Sequence, residues 1–303
     1  MRKLSDKILG MLWGLHAGDS LGATLEFLPP SADWNVHTEI VGGGEFKWRP
    51  GEATDDTDLM LCLLRSIDNT SEISFDNLKK EMLLWYRSNP PDIGKTTIRG
   101  LQNIEKDLPL HECGPVDELF QGNGSLMRVA PLSLLSANSI GIFEGNSIIG
   151  LSKISNLQTK MTHGHQHCVD CDMILISALQ KALSGATQIE IFNEALEKAR
   201  GISTYIYERI SKTAELQWHE LPTSGFCVDT LCAGLWALLK HSHFEDALVA
   251  VVNRGDDADS SGAVAGALCG AYYGADAIPR RWLCLLEYRD EIEKILKQKG
   301  FLN

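Results

Sequence analysis

Two acidic runs about two hundred residues apart constrain this chain more than any other feature of it. Residues 51–58 read G-E-A-T-D-D-T-D and place Asp55, Asp56 and Asp58 directly ahead of the apolar run Leu59–Leu64. Thr54 has the chemistry of an N-cap, its hydroxyl able to accept from an orphan N–H of the first helical turn. The helix dipole favours an acid in that turn, but one cap does not need three carboxylates, and packed together they repel. Residues 253–262, N-R-G-D-D-A-D-S-S-G, repeat the pattern with Asp256, Asp257 and Asp259 beside the hydroxyl of Ser260. Carboxylate and hydroxyl oxygens are hard ligands, suited to Mg²⁺ or Mn²⁺. A fold that faces the two helix starts toward each other across a two-metal site relieves both repulsions.

Helical spacing dominates between these runs. A first amphipathic helix carries Leu4, Ile8, Met11, Leu12 and Leu15 on one face. Arg2 and Lys3 ahead of it imitate a signal peptide, but Asp6, Lys7 and His16 interrupt the apolar stretch and no cleavage pattern follows. In Gly18–Phe27 the two glycines permit close backbone approach or a tight turn, beside Asp19 and Glu26, and residues 28–50, rich in Pro and Gly, read as an irregular connection or lid. Ser74 caps a helix to about Ser88, and a second runs from Asp92-Ile93-Gly94-Lys95 to about Lys106. Further helices are expected at about 125–136, 147–159, 166–184, 188–214, 225–241, 243–252 and 260–274, with a last one after Pro279. Alternating stretches are nearly absent, so strands are minor at most. One all-α domain over 1–303, a single compact multi-helix unit, is the expectation. Gly262, Gly266 and Gly270 form a stripe suited to close helix contact.

Bulk properties exclude some functions. The net charge of −12 lacks the basic footprint of a nucleic-acid binder, and no run approaches the roughly 18 apolar residues of a membrane span. The eight cysteines follow no framework spacing and mostly lie in apolar helical patterns, so they are expected reduced and buried in a cytoplasmic protein. Residues 257–261 match D-x-D-x-S of haloacid-dehalogenase phosphatases, but the helical remainder has no place for that α/β sheet. EF-hand spacing is missing. Thr162–Cys171, T-H-G-H-Q-H-C-V-D-C, holds one C-x₂-C where structural zinc needs four ligands, and His163 is its best candidate for an active role. Gly94-Lys95-Thr96-Thr97 lacks the first glycine of a phosphate-binding P-loop. Gly122-Asn123-Gly124-Ser125 could form a nest of backbone N–H groups for a phosphate.

In this order, the stretches G-D-S-L-G-A-T-L-E (18–26), G-E-A-T-D-D-T-D (51–58), N-P-P-D-I-G-K-T-T (89–97), G-N-G-S-L-M-R (122–128), T-H-G-H (162–165), G-F-C-V-D-T-L-C-A-G-L-W (225–236) and V-N-R-G-D-D-A-D-S-S-G-A-V-A-G (252–266) resemble the ADP-ribosylglycohydrolase family over nearly the whole chain. D-I-G-x-T-T is similar to its bacterial branch, which includes the dinitrogenase-reductase-activating glycohydrolase and ADP-ribosylarginine hydrolases. The resemblance implies an all-α fold and a centre of two Mg²⁺ or Mn²⁺ ions held by Thr54, Asp55, Asp56, Asp257, Asp259 and Ser260. It implies that Glu26 and Asp92 are the catalytic acids, and that Gly94 and Lys95, Gly122–Ser125 and His163 hold substrate. The implied reaction is hydrolysis of ADP-ribose from a modified protein side chain, first of all arginine, with ADP-ribose as product. ADP-ribosylserine and O-acetyl-ADP-ribose are alternative substrates. A different alternative is an immunity protein that occludes an ADP-ribosyltransferase toxin. Four positions depart from the family pattern: Ser260-Ser261 stand for Thr-Thr, Arg254 for Leu and Lys95 for Asn.

Overall fold

The computed structural model describes residues 3–32, 35–68, 72–136, 140–143 and 147–302, so Arg2 and both extreme ends of the expected 1–303 domain lie outside it. The fold is all-α. Its helices are α1 (Leu4–Gly22), α2 (Asp55–Ser66), α3 (Phe75–Arg87), α4 (Lys95–Glu105), α5 (Leu151–Lys160), α6 (Gln166–Leu183), α7 (Gln188–Ile202), α8 (Thr204–Thr213), α9 (Cys227–Lys240), α10 (Phe244–Val252), α11 (Ala258–Tyr273), α12 (Arg280–Leu283) and α13 (Arg289–Gln298). One small sheet accompanies them. Its strands are β1 (Ile73–Ser74), β2 (Ile140–Phe143) and β3 (Ser147–Gly150), with β2 parallel to β1 and antiparallel to β3.

The antiparallel pair α1 and α11 forms the axis of the molecule. Four glycines of α1, Gly10, Gly14, Gly18 and Gly22, recur every fourth residue and meet Gly270, Gly266, Gly262 and Ala258 of α11. A methyl group at any of the four would overlap the facing carbonyl oxygen, so the two backbones touch directly. Glycine in a helix interior costs about 1 kcal/mol against alanine. The close approach is what the chain gains for it, because these backbones pack at a separation no side chain permits. Both helices are buried along this seam, within an apolar cluster that reaches every helix around it. α1 therefore runs on to Gly22, and of the two roles open to Gly18 and Gly22 the structure shows close backbone approach, not a tight turn.

Several other boundaries differ from expectation, each for a local reason. Residues 125–136 form turns and a short 3₁₀ segment, Ala130–Leu134, because Arg128 folds its guanidinium inward onto the Gly124 carbonyl (2.9 Å). Residues 147–150 leave helix for strand because Ile140–Phe143 is there to pair with them. The expected helix 188–214 breaks at Ser203, whose extended backbone ends α7 and whose hydroxyl caps α8 by accepting from Ile206 N–H (3.3 Å). After Pro279 the chain forms two pieces, α12 and α13. Seven of the eight cysteines are buried and none is in a disulfide; Cys284 is exposed. Among the described residues no helix is long and apolar enough to cross a membrane.

Candidate active site

The seam fixes where chemistry can occur. Gly22 faces Ala258, so the C-terminal end of α1 lies against the N-terminus of α11, where Asp257, Asp259 and Ser260 stand. From the same end of α1, the buried carboxylate of Asp19 accepts N–H bonds from Thr54 (3.2 Å) and Thr57 (3.3 Å) and the Thr57 hydroxyl. This ties the N-terminus of α2 to α1. Thr54 is the N-cap of α2, its hydroxyl accepting from Asp56 N–H (3.3 Å). The two acidic runs thus meet, and the Ser260 hydroxyl donates to Asp56 Oδ2 across 204 residues of sequence (3.2 Å).

Between them opens a cavity of about 430 Å³. Glu26, Asp55, Asp92, Asp257, Asp259 and Ser260 line it together with Gly94, Lys95, Gly122, Asn123 and Gly124. Carboxylate oxygens of Glu26, Asp92 and Asp259 lie within 4.8 Å of one another. Thr54 and Asp56 stand behind this wall, buried and hydrogen-bonded to each other. Phe27, held in the left-handed region (φ 62°), and Phe46 form an aromatic lip in edge contact. Asp58 does not line the cavity and accepts from the Trp85 indole (2.9 Å).

Burial and crowding act together on these acids. Desolvation, then the charges of neighbouring carboxylates, holds Asp55, Asp56 and Asp259 well above the usual carboxylate range. Burial raises Asp257 as well. The same causes push Glu26 up to about 9 and Asp92 up to about 6. Three buried oxygens of these acids, Glu26 Oε2, Asp56 Oδ1 and Asp259 Oδ1, have no hydrogen-bond partner among the described residues. Unpaired buried carboxylate oxygens are costly. This donor set, all oxygen, clustered and anionic, fits a hard divalent cation.

The G-N-G-S segment forms the opposite wall. Gly122 bridges Phe226, and the Asn123 N–H is engaged by the Gly225 carbonyl (3.0 Å), so Asn123 does not offer its N–H to a ligand as a nest would. The Asn123 side chain reaches across to Asp257 Oδ2 (3.0 Å) and the Thr230 hydroxyl (2.9 Å). Ser125 and His163 lie behind this wall rather than on it. The Ser125 hydroxyl donates to Asp172 (3.2 Å). His163 packs against Gly122 and Gly124 with its Nδ1 on the Thr162 hydroxyl (2.8 Å), and burial pushes it down to about 3.

Sequence reasoning missed the support underneath. Arg128 is fully buried and donates to Gly124 O, Gln158 O (3.0 Å) and the Thr162 hydroxyl (2.8 Å). Asp172 collects Ser125, Gln158 and Thr159. Arg128 stood inside a quoted motif, yet nothing in a linear pattern says that an arginine points inward. A second recess, of about 590 Å³, shares Gly122 with the acidic cavity. His167, Tyr205 and Phe226 wall it, the first two stacked with ring centres 5.1 Å apart.

With this geometry in place, the comparisons are decisive. A family model described as ADP-ribosylglycohydrolase matches residues 1–302. The chain belongs to the ADP-ribosylglycohydrolase family. Relatives of this family member include an ADP-ribosylarginine hydrolase Tri1 of Pseudomonas putida, 32% identical over 97% of this chain and 77% of its own. The ADP-ribosyl-[dinitrogen reductase] glycohydrolase of Rhodospirillum rubrum is 30% identical over 95% of this chain and 92% of its own. A solved structure described as an ADP-ribosylglycohydrolase-related protein complex shares the fold with a TM-score of 0.80, at 32% identity, covering 100% of this chain and 99% of its own.

Proposed function

We propose that this chain hydrolyses the bond between C1″ of ADP-ribose and an arginine side chain of a modified protein. The observation that carries the reading is the meeting of Glu26, Asp92 and Asp259 within 4.8 Å at a cavity faced by the Gly122–Gly124 segment. Two relatives, one of them named an ADP-ribosylarginine hydrolase, support the same substrate class.

Thr54, Asp55, Asp56, Asp257, Asp259 and Ser260 would hold two Mg²⁺ or Mn²⁺ ions, whose Lewis acidity would polarise ribose oxygens and acidify water there. The chain's own groups do the rest. The Gly124 N–H and the exposed Lys95 ammonium on the cavity wall would bind the diphosphate. The ring-walled recess beyond Gly122 would take the distal base by stacking. Asp92 would pair with the guanidinium of the leaving arginine, a geometry carboxylates favour. As the water oxygen bonds to C1″ and the C–N bond breaks, Asp92 would take the water proton and return it to the departing guanidine. A carboxylate beside an oxocarbenium-like centre also stabilises its charge. With a serine or O-acetyl leaving group, Glu26 would take the base role.

The test is release of ADP-ribose from an arginine-ADP-ribosylated protein, with Mg²⁺ and with chelator. Release that requires metal and falls about 10²–10⁴-fold in Asp92→Ala supports the assignment. Unchanged turnover in Asp92→Ala sinks the role of Asp92. Release from serine-linked or O-acetyl substrates alone overturns the arginine reading.

A further inference from the structure

Asp19 lies outside the cavity, and nothing in the reaction above uses it. It is fully buried on α1. Both its oxygens face the start of α2: Thr54 N–H lies 3.4 Å from Oδ1 and 3.2 Å from Oδ2, while Thr57 N–H (3.3 Å) and the Thr57 hydroxyl reach Oδ2. A helix N-terminus normally has its orphan N–H groups capped by its own N-cap side chain or by water. Here Thr54 caps only Asp56 N–H, and a carboxylate from a different helix takes two more donors. Adding a carboxylate to an end that already holds Asp55, Asp56 and Asp58 increases repulsion. Charge balance therefore does not explain its presence. Geometry does. The adjacent Ser20 hydroxyl ties the same loop to α1 by donating to Glu52 O (3.0 Å). α1 is also locked backbone to backbone on α11, Gly18 against Gly262 and Gly22 against Ala258. α1 is thus the one body that both acidic runs are measured from.

We infer that Asp19 is a positioning residue that sets the spacing of the α2 ligands from the α11 ligands, and so the affinity with which the divalent ions bind as a pair. The inference rests on the metal reading proposed above. Asp19 itself is no ligand, because its two oxygens are already taken by N–H and O–H donors. Residues that hold metal ligands in place are generally worth about 10–100-fold in affinity.

The test is titration of the whole purified chain with Mn²⁺, followed by calorimetry and by the electron paramagnetic resonance of free and bound ion. Wild type, Asp19→Asn, Asp19→Ala and Thr57→Val are compared, each with its thermal melt. Thr57→Val keeps the charge of Asp19 and the Thr57 N–H but removes the hydroxyl that fixes the carboxylate. The expected result is an affinity at least about tenfold weaker in Asp19→Ala, with smaller losses in the other two variants. Stoichiometry should stay unchanged, and the spectrum of coupled ions should alter. Folded variants with wild-type affinity and spectrum overturn the inference and leave the metal reading standing. Loss of one ion per chain in Asp19→Asn also overturns it, by making Asp19 a ligand. A wild-type chain that binds no Mn²⁺ overturns both readings together.

Discussion

The two ends of the α1–α11 seam are built from the same backbone contact and bury polar groups in opposite ways. At the far end, Lys7 donates to the Ala182 carbonyl (2.7 Å), Gln188 donates to the His241 carbonyl (2.6 Å) and Tyr273 OH (2.9 Å), and Tyr273 OH donates to His241 O (2.6 Å). Those groups tie α1, α6, α7, α9 and α11 together through partners within the protein. At the near end Glu26, Asp56 and Asp259 each keep a buried oxygen without a partner among the described residues, and burial raises all three. Polar burial at the far end serves stability; at the near end it opposes stability in the absence of a ligand. Local conflict of that kind is expected at functional sites.

Substitution should separate the two ends cleanly. The largest effect is expected from Asp56→Asn with Asp259→Asn. Hydrolysis should fall by roughly 10³-fold or more, as loss of several kcal/mol of Lewis-acid stabilisation implies. The metal-free melting temperature should hold or rise, because two crowded charges are gone. A fall in both would show the near end to be structural like the far one. If the protein instead blocks a transferase without cleaving anything, the same variant would still protect the target.

Next in size is Gly14→Ala at the middle of the seam, where the new methyl meets the Gly266 carbonyl. A loss of about 1–3 kcal/mol is expected from overpacking. Chemical denaturation of wild type and variant measures it, and an unchanged midpoint would mean that the backbones are not in contact. Gln188→Ala is the far-end counterpart of the aspartate variant. It should cost about 1 kcal/mol in the same assay and leave the rate of ADP-ribose release untouched. A rate that fell with Gln188 would couple the ends.

The smallest expected effect is on pH dependence. Glu26 and Asp19, pushed up to about 9 and about 7 mainly by burial, keep protons in the folded chain that the unfolded chain has released. Stability of the chelated protein should therefore fall as pH rises from about 6.5 to about 9, since the folded state binds more protons. His16 and His163, pushed down to about 3 by burial, oppose this trend only at the low end of the window, where histidines of the unfolded chain are still partly protonated. Metal competes with the same protons, so the stabilisation by Mg²⁺ should grow across this window. Thermal melts in chelator and in Mg²⁺ at both ends of the window check it. A chelated protein that becomes more stable with rising pH would contradict the proton uptake assigned to these acids.

Much of the fold was legible because helices announce themselves locally. Thr54 and Ser74 cap where their hydroxyls predict, and Ser260 stands beside Asp56 as paired acidic helix starts require. The breaks at Ser203 and after Pro279 were not legible, since a hydroxyl residue continues or caps a helix according to what the helix packs on. Asp58 differed from its neighbours only by rotation about the helix, and Trp85 decided its partner.

By itself the sequence determined most of the helical segments, that the chain carries two acidic helix starts, and that it resembles one family of hydrolases. Periodicity, caps and clustered charge are properties of residues close in the chain, so a linear reading reaches them. Tertiary structure alone decided that four glycines of α1 pair with α11, that Asp19 grips the start of α2, and that Arg128 and Asp172 brace the glycine segment from behind. Each of these is a contact between distant residues, and a buried polar side chain acquires its role from the partner that burial leaves within reach.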